Sequence, residues 1–287
     1  MPKGFSLHIG LNEVDPSHYA GWSGELVACE ADAEDMQQIA RTGRYESKLL
    51  KTSQASRDAV KSAIADAAAG LKSGDVFFLT CSSHGGQIPD LNGDEIDGLD
   101  ETWVLYDGQL IDDELHELWR KFEKGVRVLV LSDSCHSGTV TKQIANAAAL
   151  RGMKDELALS YQGIEEPKRR FMPAKVAQQV FRTNRAFYEA ISKALPEREP
   201  LNEEKDQPEA SVLLLSGCQD SQYSADGPFN GLFTGTLLQV WNQGTFEGGY
   251  RRFHESIVSR MPPTQTPQLT FVGEPDGKFL REKPFTI

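Results

Sequence analysis

In this chain of 287 residues, the segment Val126–Gly138 limits the possible folds more than any other; it reads VRVLVLSDSCHSG. Its first half, Val126–Leu131, is a largely apolar run rich in β-branched residues, as is typical of a strand buried on both faces of a sheet. The run then breaks into small and polar residues that include Cys135. Open α/β sheets carry their reactive groups at the carboxyl ends of the strands, so the segment predicts a buried strand that presents a thiol.

A second segment of the same kind lies upstream. Asp75–Cys81 reads DVFFLTC and is followed by Ser-Ser-His-Gly-Gly, so that His84 stands 51 positions before Cys135. Predicted strands and helices alternate around both segments, which indicates an α/β fold with a mainly parallel central sheet, right-handed crossovers and flanking helices.

The hydrophobic pattern also predicts the remaining elements. We expect further strands at 5–11, 47–51, 102–106, 211–217 and 268–272, and helices at 29–41, 53–69 (with Ser53 as N-cap), 112–122, 144–150, 177–194, 233–241 and 251–261. The charged, proline-containing stretches 163–175 and 196–208 are expected to be exposed loops. Neither a repeat nor a linker is evident, so residues 1–287 are predicted to form one domain.

Composition narrows the class of partner and the compartment. A formal net charge of -12 argues against nucleic acid as a partner and mildly favours basic substrates or divalent cations, and no membrane partner is expected. The sequence has neither an apolar run long enough to span a bilayer nor the features of a signal peptide. Its four cysteines are scattered without a CxxC pair, so we expect free thiols in a reducing cytoplasm.

A thiol near a histidine is the minimal unit of cysteine-nucleophile catalysis. Cys135 would attack an acyl carbon, His84 would transfer the proton, and the backbone amides of Gly85, Gly86 and Cys135 itself would stabilise the oxyanion. The alternative is a packed core thiol and a structural histidine, but neither needs the Ser/Gly-rich turn that follows each strand. A zinc site is disfavoured because Cys81, His84, Cys135 and His136 lack paired ligand spacing.

The motifs make the chain resemble a known family. CSSHGGQIPDLNGDEIDGLDETWVLYDG, IDDELHEL and VRVLVLSDSCHSG are similar to the core of metacaspases, the caspase-like cysteine peptidases of family C14. The resemblance runs from Ser6 to about Gly138 and resumes over 211–241. It implies a caspase–haemoglobinase α/β sandwich, with a large-subunit-like part at 1–160, a loop-rich linker at 161–210 and a small-subunit-like part at 211–287. The nucleophile signature Q-A-C-[RQG]-G of true caspases is absent.

The resemblance also implies roles for single residues. Cys135 is then the nucleophile and His84, not His136, the general acid/base. Metacaspases cleave after arginine or lysine, and their specificity pocket maps here onto Cys29, Asp32, Ser82 and Asp133. The two aspartates would supply the charge for a basic side chain. Without the motif, Asp32 would be a first-turn helix acid and Asp133 a turn residue.

Two further expectations come from the family. Many metacaspases bind an activating calcium ion at acids that match Asp100, Asp112 and Asp113, although a further acid expected after the nucleophile is missing from TVTKQI at 139–144. Calcium activation therefore stays open, and no cofactor is needed for the chemistry itself. An EF-hand interpretation of Asp90–Glu101 fails because Glu95 stands where the loop needs glycine. Basic residues in the linker are candidate self-cleavage sites, namely Lys168, Arg169 and Arg170.

The resulting prediction is a cytoplasmic, monomeric endopeptidase that acts on protein or peptide substrates with a basic residue at the cleavage site. Two alternatives remain open at this stage. The first is a catalytically silent caspase-like domain that serves as a binding or assembly module. The second is a peptidase of the same fold with aspartate specificity.

Overall fold

The computed structural model describes residues 2–91, 98–134, 168–196, 207–218, 222, 224–227, 229–272 and 275–287. The first half contains strands β1 (Gly4–Gly10), β2 (Glu46–Lys51), β3 (Val76–Ser82), β4 (Gly85–Pro89), β5 (Leu99–Leu105), β6 (Gly108–Ile111) and β7 (Arg127–Asp133), with helices α1 (Cys29–Thr42), α2 (Arg57–Gly70) and α3 (Asp112–Trp119). The second half adds helices α4 (Ala174–Thr183), α5 (Arg185–Ala194), α6 (Leu232–Trp241) and α7 (Tyr250–Val258), and strands β8 (Ser211–Ser216) and β9 (Gln268–Val272).

The central sheet has six strands in the order β2-β1-β3-β7-β8-β9. All neighbouring pairs are parallel except β8 with β9, which is antiparallel. Parallel strands need crossover connections, and the helices that make these connections cover the sheet. The predicted α/β class, with a mainly parallel sheet flanked by helices, is confirmed.

Two apolar cores lie on the two faces of this sheet. Alternate residues of β3 enter different cores: Phe77 and Leu79 pack with α2 and α3, whereas Val76 and Phe78 pack with α1, α6 and α7. Strand β7 divides in the same way. Burial on both faces is the reason that these two strands are almost continuously apolar in the sequence.

A smaller antiparallel sheet, β4-β5-β6, lies beside the central one and was not predicted as a sheet. Its first strand begins directly after His84, and Gly85 pairs opposite Trp103. The glycines of GGQIP carry little strand propensity, so periodicity could not reveal this strand. The predicted strand at 102–106 is present as β5, which starts three residues earlier.

Some predicted elements are corrected by the structure. Thr52–Gln54 form a 3₁₀ turn, and α2 is capped by Ser56 rather than Ser53, since the Ser56 side chain accepts a hydrogen bond from the Ala59 amide. The helix expected at 177–194 is two helices, because Asn184 leaves helical geometry between them. The helix expected at 144–150 lies outside the described residues.

The prediction that 163–175 is an exposed loop is wrong at two positions. Arg170 and Met172 are fully buried, because ion pairs hold the first and an apolar cluster holds the second.

None of the helices in the described ranges has the length and apolar character needed to cross a bilayer.

Candidate active site

The carboxyl ends of β1, β3 and β7 lie side by side in the central sheet. Gly10 pairs with Ser82, and Ser82 pairs with Asp133, so the polar residues that end these strands meet at one edge. His84 follows β3 by two residues. Cys135 comes directly after the buried Ser134, and Cys135 and His136 lie outside the described residues.

One ring nitrogen of His84 is hydrogen-bonded to the backbone, and the other is buried without a partner among the described residues. Its Nε2 atom lies 2.9 Å from the carbonyl oxygen of Gly24, and the Trp22 ring packs against the imidazole at a centroid distance of 4.8 Å. A carbonyl can only accept, so this contact assigns the proton to Nε2 and leaves Nδ1 as the basic atom. Within the described part of the chain Nδ1 has no hydrogen-bond partner.

Burial lowers the pKa of His84 from 6.5 to about 4, and the bond to the Gly24 carbonyl opposes that shift only in part. The imidazole is therefore neutral at pH 7. A neutral histidine with a free, buried nitrogen at a strand end has the form needed to accept a proton from a neighbouring nucleophile.

A short extended segment of the chain itself crosses this edge. The Arg170 amide donates to the carbonyl of Ser224 at 2.9 Å, and the Asp226 amide donates to the carbonyl of Lys168 at 2.8 Å. On the other side, the Gly85 amide donates to the Arg170 carbonyl at 2.9 Å. The segment thus lies between the loop after β8 and the start of β4, and backbone pairing of this kind is a recurrent way of binding extended peptides.

The same segment continues past Arg170 into the protein. The Met172 amide donates to the Gly85 carbonyl at 2.8 Å, which completes a parallel bridge between Gly85 and Phe171. The Met172 side chain is fully buried beside Gly86, where a Cβ would lie 2.9 Å from its terminal methyl group. Gly86 itself pairs opposite Thr102 in the β4–β5 ladder.

The side chain of Arg170 fills a pocket lined by acids. Its Nη2 atom lies 2.7 Å from Asp32 and 2.9 Å from Asp226, and its Nη1 atom lies 3.0 Å from the carboxylate of Asp133. Nη1 also donates to the Ser82 hydroxyl at 2.8 Å. The Arg170 side chain is 0 % exposed, so one buried cation is shared by three buried carboxylates.

Tight packing and backbone amides fix these acids in place. A Cβ on Gly10 would lie 2.2 Å from the Cys29 carbonyl, so the missing side chain lets the first turn of α1 bring Asp32 over the end of β3. The Gly231 amide then donates to Asp32 at 3.0 Å, and the Thr234 amide and hydroxyl donate to Asp133 at 3.2 and 2.7 Å. These donors fix the positions of both carboxylates.

Burial and the neighbouring charges raise the pKa values of two pocket residues, Asp32 and Cys29. Burial raises the pKa of Asp32 from 3.8 to about 6; the Arg170 guanidinium opposes the rise and the nearby Asp133 adds to it. Burial likewise raises the pKa of the Cys29 thiol, so Cys29 stays protonated as a neutral neighbour of Ser82. The structure therefore brings together all four predicted pocket residues, Cys29, Asp32, Ser82 and Asp133.

Asp226 and Ser224 complete the pocket and were not predicted from the sequence. Both lie in the loop that follows β8, in the stretch SADGP, which has no motif of its own. The available signal was topological: β8 is parallel to β7, so the loop after β8 must reach the same sheet edge as Asp133.

The predicted calcium ligands do not gather into a cluster by themselves. Asp100 lies on β5, and Asp112 and Asp113 form the first turn of α3, where the Asp113 amide donates to Asp112 at 3.0 Å. Over the described ranges, no group of three or more His, Cys, Asp or Glu side chains is placed to hold a metal ion. Calcium binding stays a prediction.

The three predicted self-cleavage residues differ in their surroundings. Lys168 and Arg169 of the same segment are exposed, and the Lys168 ammonium donates to the Glu25 carbonyl at 3.2 Å. Only the arginine whose carbonyl meets the Gly85 amide has its side chain in the acidic pocket.

Comparison with known proteins finds metacaspases among the relatives of this chain. Metacaspase-1 of Schizosaccharomyces pombe is 30 % identical over 93 % of this chain and 61 % of that protein, and Metacaspase-1 of Mycosarcoma maydis is 31 % identical over 92 % and 69 %. The chain thus spans about three-fifths of the length of the first of these relatives.

Solved structures extend the comparison. Protein GSU0716 from Geobacter sulfurreducens is 49 % identical, with a TM-score of 0.86 over 100 % of this chain and 99 % of that one. Caspase-1 from Spodoptera frugiperda shares the fold, with a TM-score of 0.55 at 11 % identity over 94 % of this chain and 86 % of the other. The family model described as Caspase domain (Peptidase C14) matches residues 14–274. With that match over most of its length and metacaspases among its relatives, the chain belongs to the caspase-domain family of C14 peptidases.

Proposed function

We propose that this chain is a cysteine endopeptidase of metacaspase type that cleaves after basic residues, with Cys135 as nucleophile and His84 as general acid/base. The observation that carries the proposal is the position of Arg170. Its side chain lies among three acids while its carbonyl accepts a hydrogen bond from the Gly85 amide, as a scissile carbonyl must from an oxyanion donor.

The chemistry follows from these groups. The Cys135 sulfur attacks the carbonyl carbon of the basic residue, and His84 Nδ1 takes the thiol proton. The negative charge on the tetrahedral oxygen is stabilised by the Gly85 amide. The carbon–nitrogen bond then breaks, His84 returns the proton to the leaving amine, and water hydrolyses the thioester with His84 acting as base.

The same geometry supports self-cleavage at one bond. Lys168–Arg170 pair with the loop after β8 as an incoming substrate strand would, and Phe171 follows Arg170 on the leaving side. The bond between Arg170 and Phe171 is thus the proposed processing site. As long as the segment 168–170 stays bound, it competes with substrates for the pocket.

Aspartate specificity receives no support from the pocket. An aspartyl side chain there would face the carboxylates of Asp32, Asp133 and Asp226, and like charges at these distances repel. The remaining alternative is the silent binding module, which would hold the Arg170 segment without cutting it.

Two measurements on the purified full chain separate these alternatives. Mass spectrometry after incubation is expected to find a new amino terminus at Phe171 in the wild type and in Arg169→Gln, and none in Cys135→Ala. Fluorogenic peptides ending in Arg, Lys or Asp, assayed with calcium and with a chelator, are expected to show turnover of the basic ones only. An uncut chain without turnover in either condition would establish the silent module.

The remaining features of the proposal concern the setting. The described cysteines Cys29, Cys81 and Cys218 are free and buried, which is consistent with a reducing compartment such as the cytoplasm. Calcium activation through Asp100, Asp112 and Asp113 is part of the proposal that the chelator arm tests. A monomer is expected, and size-exclusion chromatography checks it.

A further inference from the structure

The pocket meets the guanidinium of Arg170 at both of its terminal nitrogens. Nη2 lies between Asp32 Oδ2 at 2.7 Å and Asp226 Oδ1 at 2.9 Å. Nη1 lies near the Ser82 hydroxyl at 2.8 Å and the Asp133 carboxylate at 3.0 Å. Nε has no hydrogen-bond partner among the described residues, so the pocket recognises the guanidinium through its two terminal nitrogens, Nη1 and Nη2.

Asp226 differs from the other two acids in what holds it. Its carboxylate accepts hydrogen bonds from the Val27 amide at 2.7 Å and the Ala28 amide at 3.3 Å, just before α1. Its own amide donates to the carbonyl of Lys168, two residues before Arg170. One residue therefore aligns the backbone of the bound strand and contacts the end of the basic side chain.

A lysine side chain cannot satisfy this arrangement. Its ammonium is one compact point of charge, whereas the guanidinium is a planar fork with donors in fixed directions. A single nitrogen that pairs with Asp32 and Asp133 leaves the Asp226 carboxylate, which is 3 % exposed, without a cation. A buried carboxylate that loses its partner is strongly unfavourable.

We propose that Asp226 is a specificity-determining residue that makes this pocket select arginine over lysine. The inference rests on the proposed basic-residue peptidase activity and goes beyond it, since that activity alone treats the two residues alike. It assigns the discrimination to the loop after β8 and not to the acids that end β7 and begin α1.

The first test uses the wild-type chain and matched peptides that differ only in Arg or Lys before the scissile bond. The expected result is a kcat/KM at least roughly 100-fold higher for the arginyl peptide, as is typical when one buried charge loses its partner. Within the chain, Arg170→Lys is expected to slow self-cleavage by a similar factor. Equal rates for both residues would overturn the inference and leave the peptidase assignment intact.

The second test removes the charge. Asp226→Asn is expected to lower kcat/KM for the arginyl peptide far more than for the lysyl one, so that their ratio shrinks by at least about tenfold. A loss of folding alone would lower both rates and leave the ratio unchanged. The matched control is Asp35→Asn, since Asp35 accepts a hydrogen bond from Asn230 at 2.8 Å and does not contact Arg170.

The control is expected to keep the wild-type ratio. If Asp226→Asn also keeps it, the inference is wrong. If no variant and no condition yields turnover of either peptide, the proposed function itself fails, and the two failures are thereby distinguished. The wild-type ratio needs no variant, so a misfolded Asp226→Asn does not remove the test.

Discussion

The Nε2 atom of His84 and the carbonyl oxygen of Gly24 lie 2.9 Å apart, and this contact orients the imidazole that we assign as acid and base. The carbonyl belongs to the loop before α1, 60 positions before His84 in the sequence. The orientation of His84 therefore depends on the backbone geometry at a glycine, which leads to the first prediction.

Gly24→Ala is expected to lower kcat about tenfold with little change in KM. Gly24 has a φ of +58°, and an added Cβ would lie 2.9 Å from the Trp22 ring, so the loop must shift and tilt His84. Steady-state kinetics on an arginyl peptide measures the effect. Gly21→Ala is the control, because Gly21 also has a positive φ (+89°) but open space around its Cβ position. Equal losses in both variants would contradict this role of the Gly24 carbonyl.

Arg170→Gln is expected to lower the free energy of unfolding by about 3 kcal/mol at pH 8, because it leaves three buried carboxylates without their cation. The loss should shrink as the pH falls and Asp32, whose pKa is raised by burial, becomes protonated. Urea unfolding in a Cys135→Ala background, which prevents self-cleavage, checks it. Arg169→Gln changes an exposed neighbour and should alter stability by less than about 0.5 kcal/mol. A loss independent of pH would argue against the charge explanation.

Stability should fall with acid because of His8. Burial, with a smaller effect of Arg41, lowers the pKa of His8 from 6.5 to about 3, and its Nδ1 lies 3.0 Å from the Thr80 hydroxyl. Below pH 6.5 the His8 imidazole binds a proton in the unfolded chain but not in the folded chain. The contribution of His8 to the free energy of unfolding is therefore fully present above pH 6.5 and is lost progressively down to about pH 3. By pH 5 the loss from His8 is about 2 kcal/mol.

The test compares the slopes of unfolding free energy against pH for wild type and His8→Asn, whose amide nitrogen retains a group near Thr80. We expect the variant to lose the His8 share of the slope between pH 6.5 and 5. The contribution of His84, whose pKa is lowered in the same direction, should remain in both proteins. Parallel slopes would show that His8 does not titrate as described.

Tyr188→Phe is expected to destabilise the α4–α5 hairpin that follows the proposed cleavage site. The Gln109 amide and side-chain nitrogen donate to the Tyr188 hydroxyl at 3.3 Å each, so its own hydrogen goes to His18 Nε2 at 2.9 Å. Phenylalanine leaves the buried Gln109 donors unpaired, at a cost of about 1–3 kcal/mol. Faster amide hydrogen exchange across 174–194 measures this, and Lys175→Ala, at an exposed position, should exchange like the wild type.

Much of the fold was predictable because strands that are buried on both faces of a sheet consist almost entirely of apolar residues. β3 and β7 are apolar on both faces, and the abrupt polar ends of these two runs mark His84 and Asp133 in the sequence. The strand β4 was missed because it begins with two glycines. The break at Asn184 was missed because apolar spacing continues through it, and the break depends on side-chain bonds from Asn184 to the carbonyls of His18 and Val180.

Three features could be read from the sequence: the order of the central-sheet strands along the chain, the two strand ends that carry the chemistry, and the family motif that groups Cys29, Asp32, Ser82 and Asp133. The three-dimensional arrangement was needed to show that Arg170 is the linker residue that enters the pocket and that Asp226 completes it. From its own residues alone, the charged, proline-containing segment 163–175 is predicted to be exposed to solvent. Arg170 is buried because three carboxylates from separate parts of the chain meet at one sheet edge, and such a meeting is a property of the fold and not of any local pattern.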